Sequence, residues 1–195
     1  MNQPHRKSIR LKEHDYSQPG EYFVTICTHN HECTLGEIVN GEMRLNEIGK
    51  IAEEEWLRTA IIRPDIQLDV FVIMPNHIHG IIILTEPVGT RHAVSLQEQF
   101  AKPVGVQNFE PLPQNIYQHI IPKSLGSIIR SYKAAVTHEC RKCGHHGFRW
   151  QRNFFDRVIR SDKELINVRD YIANNVLQWS FDSSCDVPDN LFLTR

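Results

Sequence analysis

The chain has 195 residues, of which 41% are hydrophobic and 23% charged, and this composition excludes a disordered or collagen-like protein. Its formal net charge is −1, so the protein is not a uniformly basic nucleic-acid-binding protein. The length predicts a single domain over residues 1–195. The longest apolar stretches, Val70–Met74 and Ile81–Leu84, are too short to cross a bilayer, which predicts no membrane partner. A polar N-terminus and five irregularly spaced cysteines predict a cytoplasmic location.

The first half of the chain predicts five strands and one helix. Residues 1–19 are polar and basic and are expected to form an N-terminal arm. Asn40-Gly41 separates two short strands and is typical of a tight hairpin turn. Asn46 is expected to cap the helix that Pro64 ends. The predicted strands are Tyr22–Thr28, Glu37–Val39, Met43–Leu45, Gln67–Met74 and His77–Leu84.

The second half begins with a stretch that lacks clear periodicity. Residues 86–123 contain five prolines and are predicted to form a long loop or an insertion. Ser124 is expected to cap a helix, and Phe154–Ile159 to form a strand. Ser161 begins an S-x-x-E capping box, which predicts a last helix over residues 162–179. Strands interleaved with helices predict an α+β fold, a ferredoxin-like sandwich with helices packed on a central antiparallel sheet.

The most informative pattern is His77-Ile78-His79 within an apolar strand. Successive strand residues point to opposite faces, so the two imidazoles project the same way and are well placed to bind one divalent cation. A strand that is apolar on both faces belongs in the middle of a sheet, where buried imidazoles need partners. The alternative is a pair of half-exposed histidines with no ligand, because this short pattern also occurs by chance.

Further ligands for such a cation are expected on the last helix. Tyr171 and Asn175 are four residues apart, so both side chains share one helix face. Oxygen ligands combined with imidazoles suit Mg²⁺ or Mn²⁺. The alternative is that Tyr171 packs in the core and that Asn175 caps the end of the helix.

Two segments resemble a known family. MPNHIHGIIIL is similar to the HUH motif (His, hydrophobic residue, His) of transposases and relaxases that act on single-stranded DNA. WQRNFFDRVIRSDKELINVRDYIANNVLQW resembles the closing segment of the REP-associated tyrosine transposases, which belong to the insertion-sequence-200-like class. The resemblance extends from about Gly20 to Trp179 and is weakest over residues 86–123.

This resemblance implies a function and a set of site residues. His77 and His79 match the family's metal-binding histidines, Tyr171 matches the nucleophile, and Asn175 matches the polar residue that completes the metal site. The implied enzyme is an endonuclease and strand transferase, dependent on Mg²⁺ or Mn²⁺, that acts on palindromic single-stranded DNA hairpins through a 5′-phosphotyrosine. The family includes dimers, so a monomer or a homodimer is expected. One departure is that Asn-Asn-Val stands where the family commonly has Asn-Pro.

The basic residues are unevenly distributed along the chain. Residues 123–163 contain ten Lys and Arg against three Asp and Glu, which predicts one positive surface and salt-dependent DNA binding. Guanidinium groups and aromatic rings in this segment could contact phosphates and bases. The alternative is a solvated helix face with core aromatics. The predicted DNA-binding residues are Arg130, Lys133, Arg149, Trp150, Arg152 and Arg157.

Several alternatives remain open from the sequence. Tyr132 is the main rival for the nucleophile, although its place in an apolar helical stripe favours a core role. Cys140, Cys143, His145 and His146 could form half of a zinc site, but no second cysteine pair exists, so a solvated loop is favoured. The alternative functions are a catalytically silent DNA-hairpin-binding protein and a metal hydrolase or oxygenase acting on a small molecule.

Overall fold

The computed structural model describes residues 14–85 and 123–179. Most of the predicted N-terminal arm, and the predicted loop 86–123 apart from Lys123, lie outside the described residues. The described strands are β1 (Gly20–Cys27), β2 (Gly36–Val39), β3 (Glu42–Leu45), β4 (Ile66–Ile73), β5 (His77–Leu84) and β6 (Phe155–Ile159). The helices are a short 3-10 turn (His29–His31), α1 (Glu47–Ile62), α2 (Leu125–Lys142) and α3 (Asp162–Gln178). None of these helices is both long and apolar enough to cross a membrane.

The local signals act as predicted. Asn40 and Gly41 both have positive φ, 55° and 80°, as the tight turn between β2 and β3 requires. The side chain of Asn46 accepts a hydrogen bond from the backbone N–H of Gly49 and caps α1. Ser124 and Ser161 cap α2 and α3 in the same way. These caps fix where each helix begins, and the start of α3 sets the position of Tyr171 along its axis.

Four strands form one antiparallel sheet in the order β4-β5-β1-β6, and β2 pairs with β3 in a separate hairpin. The two middle strands, β5 and β1, pair along their whole length, with Thr25 opposite His79 and Cys27 opposite His77. This strand order and the connecting helices confirm the predicted α+β, ferredoxin-like architecture. The central place of β5 also agrees with its apolar residues on both faces.

Helices cover both faces of the sheet. Tyr22, Val24 and Ile26 of β1 belong to a core cluster shared with α1 and α2. Phe23, from the opposite face of the same strand, belongs to a second cluster formed with α3. The alternation of β1 therefore separates two cores, and His77 and His79, in register with Cys27 and Thr25, face the α3 side.

Gly80 is on the face of β5 that packs against the core shared with α1 and α2, and it allows a close approach of α1. A Cβ atom at this position would lie 2.5 Å from Cζ2 of Trp56 and 3.2 Å from Cβ of Phe71. The Trp56 ring cannot move away readily, because it is buried and packs edge-on against Tyr132 with 5.2 Å between ring centroids. The strand therefore needs a residue without a side chain next to His79.

We expect Gly80→Ala to lower the free energy of unfolding by about 1–3 kcal/mol through overpacking. Urea denaturation of the variant and the unaltered protein measures this difference. Gly147→Ala is the matched control, because a Cβ atom there meets nothing within 4 Å, and it should change stability by less than about 0.5 kcal/mol. Equal stability of the two variants would contradict the packing described for Trp56.

Candidate active site

The centre of the candidate site is the pair of histidines on β5. His77 is 2% exposed and His79 1%, and their ring centroids lie 4.4 Å apart. The strand's alternation places both imidazoles on the α3 face, as the sequence predicts, and the structure shows that they are buried. Two adjacent imidazoles in such a position require hydrogen-bond partners or a ligand.

Each ring has a polar partner at Nδ1. The Nδ1 atom of His79 lies 2.8 Å from the hydroxyl oxygen of Thr25, its register partner on β1. The Nδ1 atom of His77 lies 2.6 Å from Oδ1 of Asn76. The Phe23 ring stacks on His79 with 5.4 Å between ring centroids. These contacts hold the rings in one orientation, which is a requirement for a preorganised metal ligand.

Burial keeps His79 neutral. Its pKa is held well below 6.5, first by the loss of water on burial and then by the nearby His77. A neutral imidazole carries the lone pair that a metal ion needs. The electrostatic environment of His79 therefore fits metal binding.

The lowered pKa of His79 predicts acid-sensitive stability. Below about pH 6.5 the unfolded chain binds a proton at His79, whereas the folded chain does not. The stability that depends on neutral His79 is therefore fully present above pH 6.5 and is lost as the pH falls. In EDTA, the difference in unfolding free energy between the unaltered protein and His79→Gln should shrink between pH 7.5 and pH 5. A difference that stays constant over this range would show that His79 titrates normally.

Helix α3 brings Tyr171 to this pair. The Tyr171 hydroxyl oxygen lies 3.3 Å from Nε2 of His79, and the two ring centroids are 5.2 Å apart. The phenol ring also packs edge-on against Phe23 at 6.2 Å. The docking of α3 on Phe23 therefore places a half-buried phenol against the second histidine of the motif.

Asn175 is on the same face of α3 as Tyr171 and is buried. Tyr171 contacts His79, while Trp179, two turns further on, has its ring centroid 6.1 Å from that of His77. Asn175 lies one turn from each of these contacts, so its turn of the helix passes over the histidine pair. The structure thus brings His77, His79 and Tyr171 together, and Asn175 lies on the same face of the helix that carries Tyr171.

An ion pair anchors α3 to the edge of the sheet. Nε and Nη2 of Arg169 lie 2.8 and 2.6 Å from Oδ2 of Asp69 on β4. Asp69 lies within a register shift between β4 and β5 that falls between Leu68 and Phe71. A bulge of this kind changes the direction of a side chain, and here the result is an anchor two residues before Tyr171.

The donor set fits a divalent cation with mixed nitrogen and oxygen ligands. The residues that could hold it are His77, His79 and Asn175, with Tyr171 beside them. Among residues 14–85 and 123–179, no group of three or more His, Cys, Asp or Glu side chains is arranged to hold a metal. A site here therefore depends on the amide of Asn175 or on oxygen atoms of a substrate, which is a ligand type suited to Mg²⁺ or Mn²⁺.

The predicted DNA-binding residues occupy different environments. Arg130, Arg149 and Arg152 are exposed, and their contact with DNA stays a prediction. The Lys133 ammonium donates to the carbonyl oxygens of Gln151 and Asn153, both at 2.9 Å, and burial lowers its pKa to about 8.

The other two predicted residues are engaged within the protein. The Trp150 indole packs against Phe148 and Tyr132, with ring centroids 5.0 and 6.0 Å away. Arg157 donates to Glu164 at 3.2 Å. DNA binding by Lys133, Trp150 and Arg157 stays a prediction, and each has a role in the fold.

The rival site residues lie elsewhere. Tyr132 is buried with α1 on the opposite side of the sheet, where its hydroxyl donates to the carbonyl of Ala52 at 2.9 Å and burial raises its pKa well above 10. Cys140 is buried in the same core, whereas Cys143 is exposed. His145 pairs with Glu47 at 2.8 Å, and these residues form no metal-binding cluster with others in the described ranges.

Sequence reasoning missed four residues that contact the histidine pair: Phe23, Thr25, Asn76 and Trp179. Thr25 depends on the register of β1 against β5, for which the sequence carries no direct signal. Asn76 directly precedes the motif, and Trp179 is eight residues after Tyr171 and so near its helix face. The positions of Asn76 and Trp179 relative to the motif and to Tyr171 were therefore signals from which the sequence could have predicted them.

Comparisons with known proteins agree with this fold. No family model matches the chain. An uncharacterized protein of Haemophilus influenzae is 38% identical over 178 residues, which span 91% of this chain and 92% of that protein. A solved structure of a REP-associated tyrosine transposase bound to a REP hairpin superposes with a TM-score of 0.56. That match has 19% identity and covers 91% of this chain and 78% of the other, so it shows a shared transposase-like fold.

Proposed function

We propose that this chain, which belongs to the same protein family as the uncharacterized Haemophilus influenzae protein, is a transposase that cleaves and joins single-stranded DNA. The observation that carries the proposal is the 3.3 Å distance between the Tyr171 hydroxyl and Nε2 of His79. A phenol placed against a buried histidine pair, on a fold shared with a tyrosine transposase, supports covalent catalysis by Tyr171.

In the proposed reaction, the Tyr171 phenol loses its proton and its oxygen attacks a phosphorus atom of the DNA backbone. A bond forms between this oxygen and phosphorus, and the bond from phosphorus to the 3′ oxygen breaks. The products are a 5′-phosphotyrosine and a 3′-hydroxyl that has taken up a proton. Because one phosphoester replaces another, a different 3′-hydroxyl can reverse the step and join the strand without ATP.

The protein's own residues prepare the site for this step. His77, His79 and Asn175 would hold Mg²⁺ or Mn²⁺, which supplies Lewis-acid stabilisation of the scissile phosphate. Phe23 supports both the Tyr171 ring and the His79 ring. This packing restricts the phenol to one orientation and reduces the entropy lost on reaching the reactive geometry.

The proposed substrate is single-stranded DNA that folds into palindromic hairpins. The REP-associated transposase of similar fold is bound to a REP hairpin, and the segment 123–163 of this chain carries a strong excess of positive charge. Exposed Arg130, Arg149 and Arg152 provide contacts to the phosphates. We expect this binding to weaken as the salt concentration rises.

The two alternative functions have less support. A silent hairpin-binding protein would have no need for a phenol against the histidine pair. A metal hydrolase acting on a small molecule commonly needs a third histidine or a carboxylate at the metal. No such cluster is found within residues 14–85 and 123–179.

The test uses a pool of labelled single-stranded oligonucleotides, each with a hairpin stem and randomised single-stranded flanks. With Mn²⁺ present, we expect a covalent protein–DNA adduct that survives denaturing electrophoresis and that peptide mass spectrometry maps to Tyr171. The matched control is the same pool annealed to its complement. Absence of any adduct, or equal cleavage of the duplex, would contradict the proposal.

A further inference from the structure

We infer that Asn76 is a positioning residue that fixes the tautomer of His77, with the proton on Nδ1, so that Nε2 presents the lone pair to the proposed metal. The inference rests on the proposed function, because that function assigns a metal to His77. The tautomer itself follows from the contacts of Asn76. Asn76 is 2% exposed and directly precedes the histidine motif in the turn between β4 and β5.

The orientation of the Asn76 amide is determined by its partners. One end of the amide lies 3.3 Å from the carbonyl oxygen of His31, which can only accept a hydrogen bond. That end must therefore be the NH₂ group, and the other end, 2.6 Å from Nδ1 of His77, must be the oxygen. An amide oxygen only accepts, so the proton of a neutral His77 ring is on Nδ1.

The backbone of Asn76 is held by the residue that follows the neighbouring strand β1. Its carbonyl oxygen accepts hydrogen bonds from the backbone N–H and the side-chain hydroxyl of Thr28, both at 2.9 Å. Thr28 immediately precedes the 3-10 turn that supplies the His31 carbonyl. Both anchors of Asn76 therefore come from the segment that follows β1.

The conformation of the turn supports this role. Asn30 and His31 have φ of 53° and 57°, in the left-handed region that residues other than glycine seldom adopt. The side chain of His31 is exposed, whereas its carbonyl faces the buried Asn76 amide. The turn thus contributes a backbone oxygen that accepts a hydrogen bond from the Asn76 amide.

The consequence is a chain of contacts from the turn to the metal position. The turn fixes the Asn76 amide, the amide fixes the Nδ1–H form of His77, and Nε2 then carries the lone pair. Partners of this kind behind a metal-binding histidine typically contribute about 10- to 100-fold to metal affinity. Asn76 acts through His77 and touches neither the metal nor the DNA.

The first measurement needs no metal. In the metal-free protein, ¹⁵N chemical shifts of the imidazole should show the neutral form of His77 protonated at Nδ1 and unprotonated at Nε2. The same spectrum of Asn76→Leu, which has a similar volume and no acceptor, should show a mixture of both tautomers. A His77 ring protonated at Nε2 in the unaltered protein would overturn the inference while leaving the role of Tyr171 intact.

The second measurement is Mn²⁺ affinity by calorimetry. We expect Asn76→Leu to bind Mn²⁺ about 10- to 100-fold more weakly. Asn76→Asp should retain most of the affinity, because its carboxylate still accepts from Nδ1. His31→Gly, which keeps the carbonyl and suits a positive φ, should bind Mn²⁺ normally. Asn46→Ala removes the α1 cap and controls for lost stability alone.

The outcomes separate the two proposals. Equal Mn²⁺ affinity of Asn76→Leu and the unaltered protein would overturn the positioning role. A weakened His31→Gly would also count against it, because the ring of His31 would then contribute directly. An unaltered protein that binds no Mn²⁺ would instead overturn the metal dependence of the proposed function.

Discussion

Replacing Tyr171 with phenylalanine should abolish the covalent adduct with DNA. The variant keeps the ring that packs on Phe23 and removes only the oxygen that lies 3.3 Å from His79. Loss of a nucleophile of this kind typically lowers the rate on the order of 10⁴-fold or more. Gel quantification of the adduct over time measures the effect, and hairpin affinity should remain within about threefold.

The matched control for this experiment is Tyr132→Phe. The Tyr132 hydroxyl donates to the carbonyl of Ala52 in the core on the other side of the sheet, so its removal should cost about 1 kcal/mol of stability and leave the adduct. If Tyr171→Phe still forms the adduct and Tyr132→Phe does not, the nucleophile is Tyr132. Circular dichroism of both variants separates a loss of chemistry from a loss of folding.

Removing the divalent metal should stop cleavage and leave hairpin binding. The proposed ligands His77 and His79 are buried beside Tyr171, whereas Arg130, Arg149 and Arg152 provide exposed charge for the DNA backbone. We expect EDTA to lower the cleavage rate by on the order of 10³-fold or more, because several kcal/mol of transition-state stabilisation is lost. Restoring Mn²⁺ should restore cleavage.

The variant His77→Ala should reproduce the effect of EDTA at every Mn²⁺ concentration that rescues the unaltered protein. Its control is His146→Ala, which removes an exposed histidine outside the site. Cleavage that resists both EDTA and His77→Ala would show that the reaction needs no metal at this position. A parallel loss of hairpin binding would show instead that His77 contributes to the fold or to DNA contact.

The sequence alone was sufficient for the elements that build the site. Alternation on a strand required His77 and His79 to share a face, and the helical repeat placed Tyr171 and Asn175 on one face of α3. The sequence also predicted the helix caps Asn46, Ser124 and Ser161, and each helix begins at the residue after its cap. These features depend on neighbours a few positions apart, so local stereochemistry determines them.

The environments of several predicted residues required the tertiary structure. Lys133 and Trp150 were predicted to contact DNA because one is basic and the other aromatic, and this stays a prediction. The structure adds that the Lys133 ammonium donates to two backbone carbonyls and that the partly buried Trp150 indole packs against the core. Basic and aromatic side chains serve either purpose, and only the docking of α2 against the segment before β6 shows which contacts they make.

The meeting of Tyr171 and His79 was likewise decided in three dimensions. These residues are 92 positions apart, and their contact depends on α3 packing on Phe23 and on the ion pair between Arg169 and Asp69. Short-range patterns determined which side chains point together within each element. The sheet register and the burial of apolar faces decided which elements meet. The free energy of strand pairing and of apolar burial comes from contacts between distant segments, which no local sequence pattern contains.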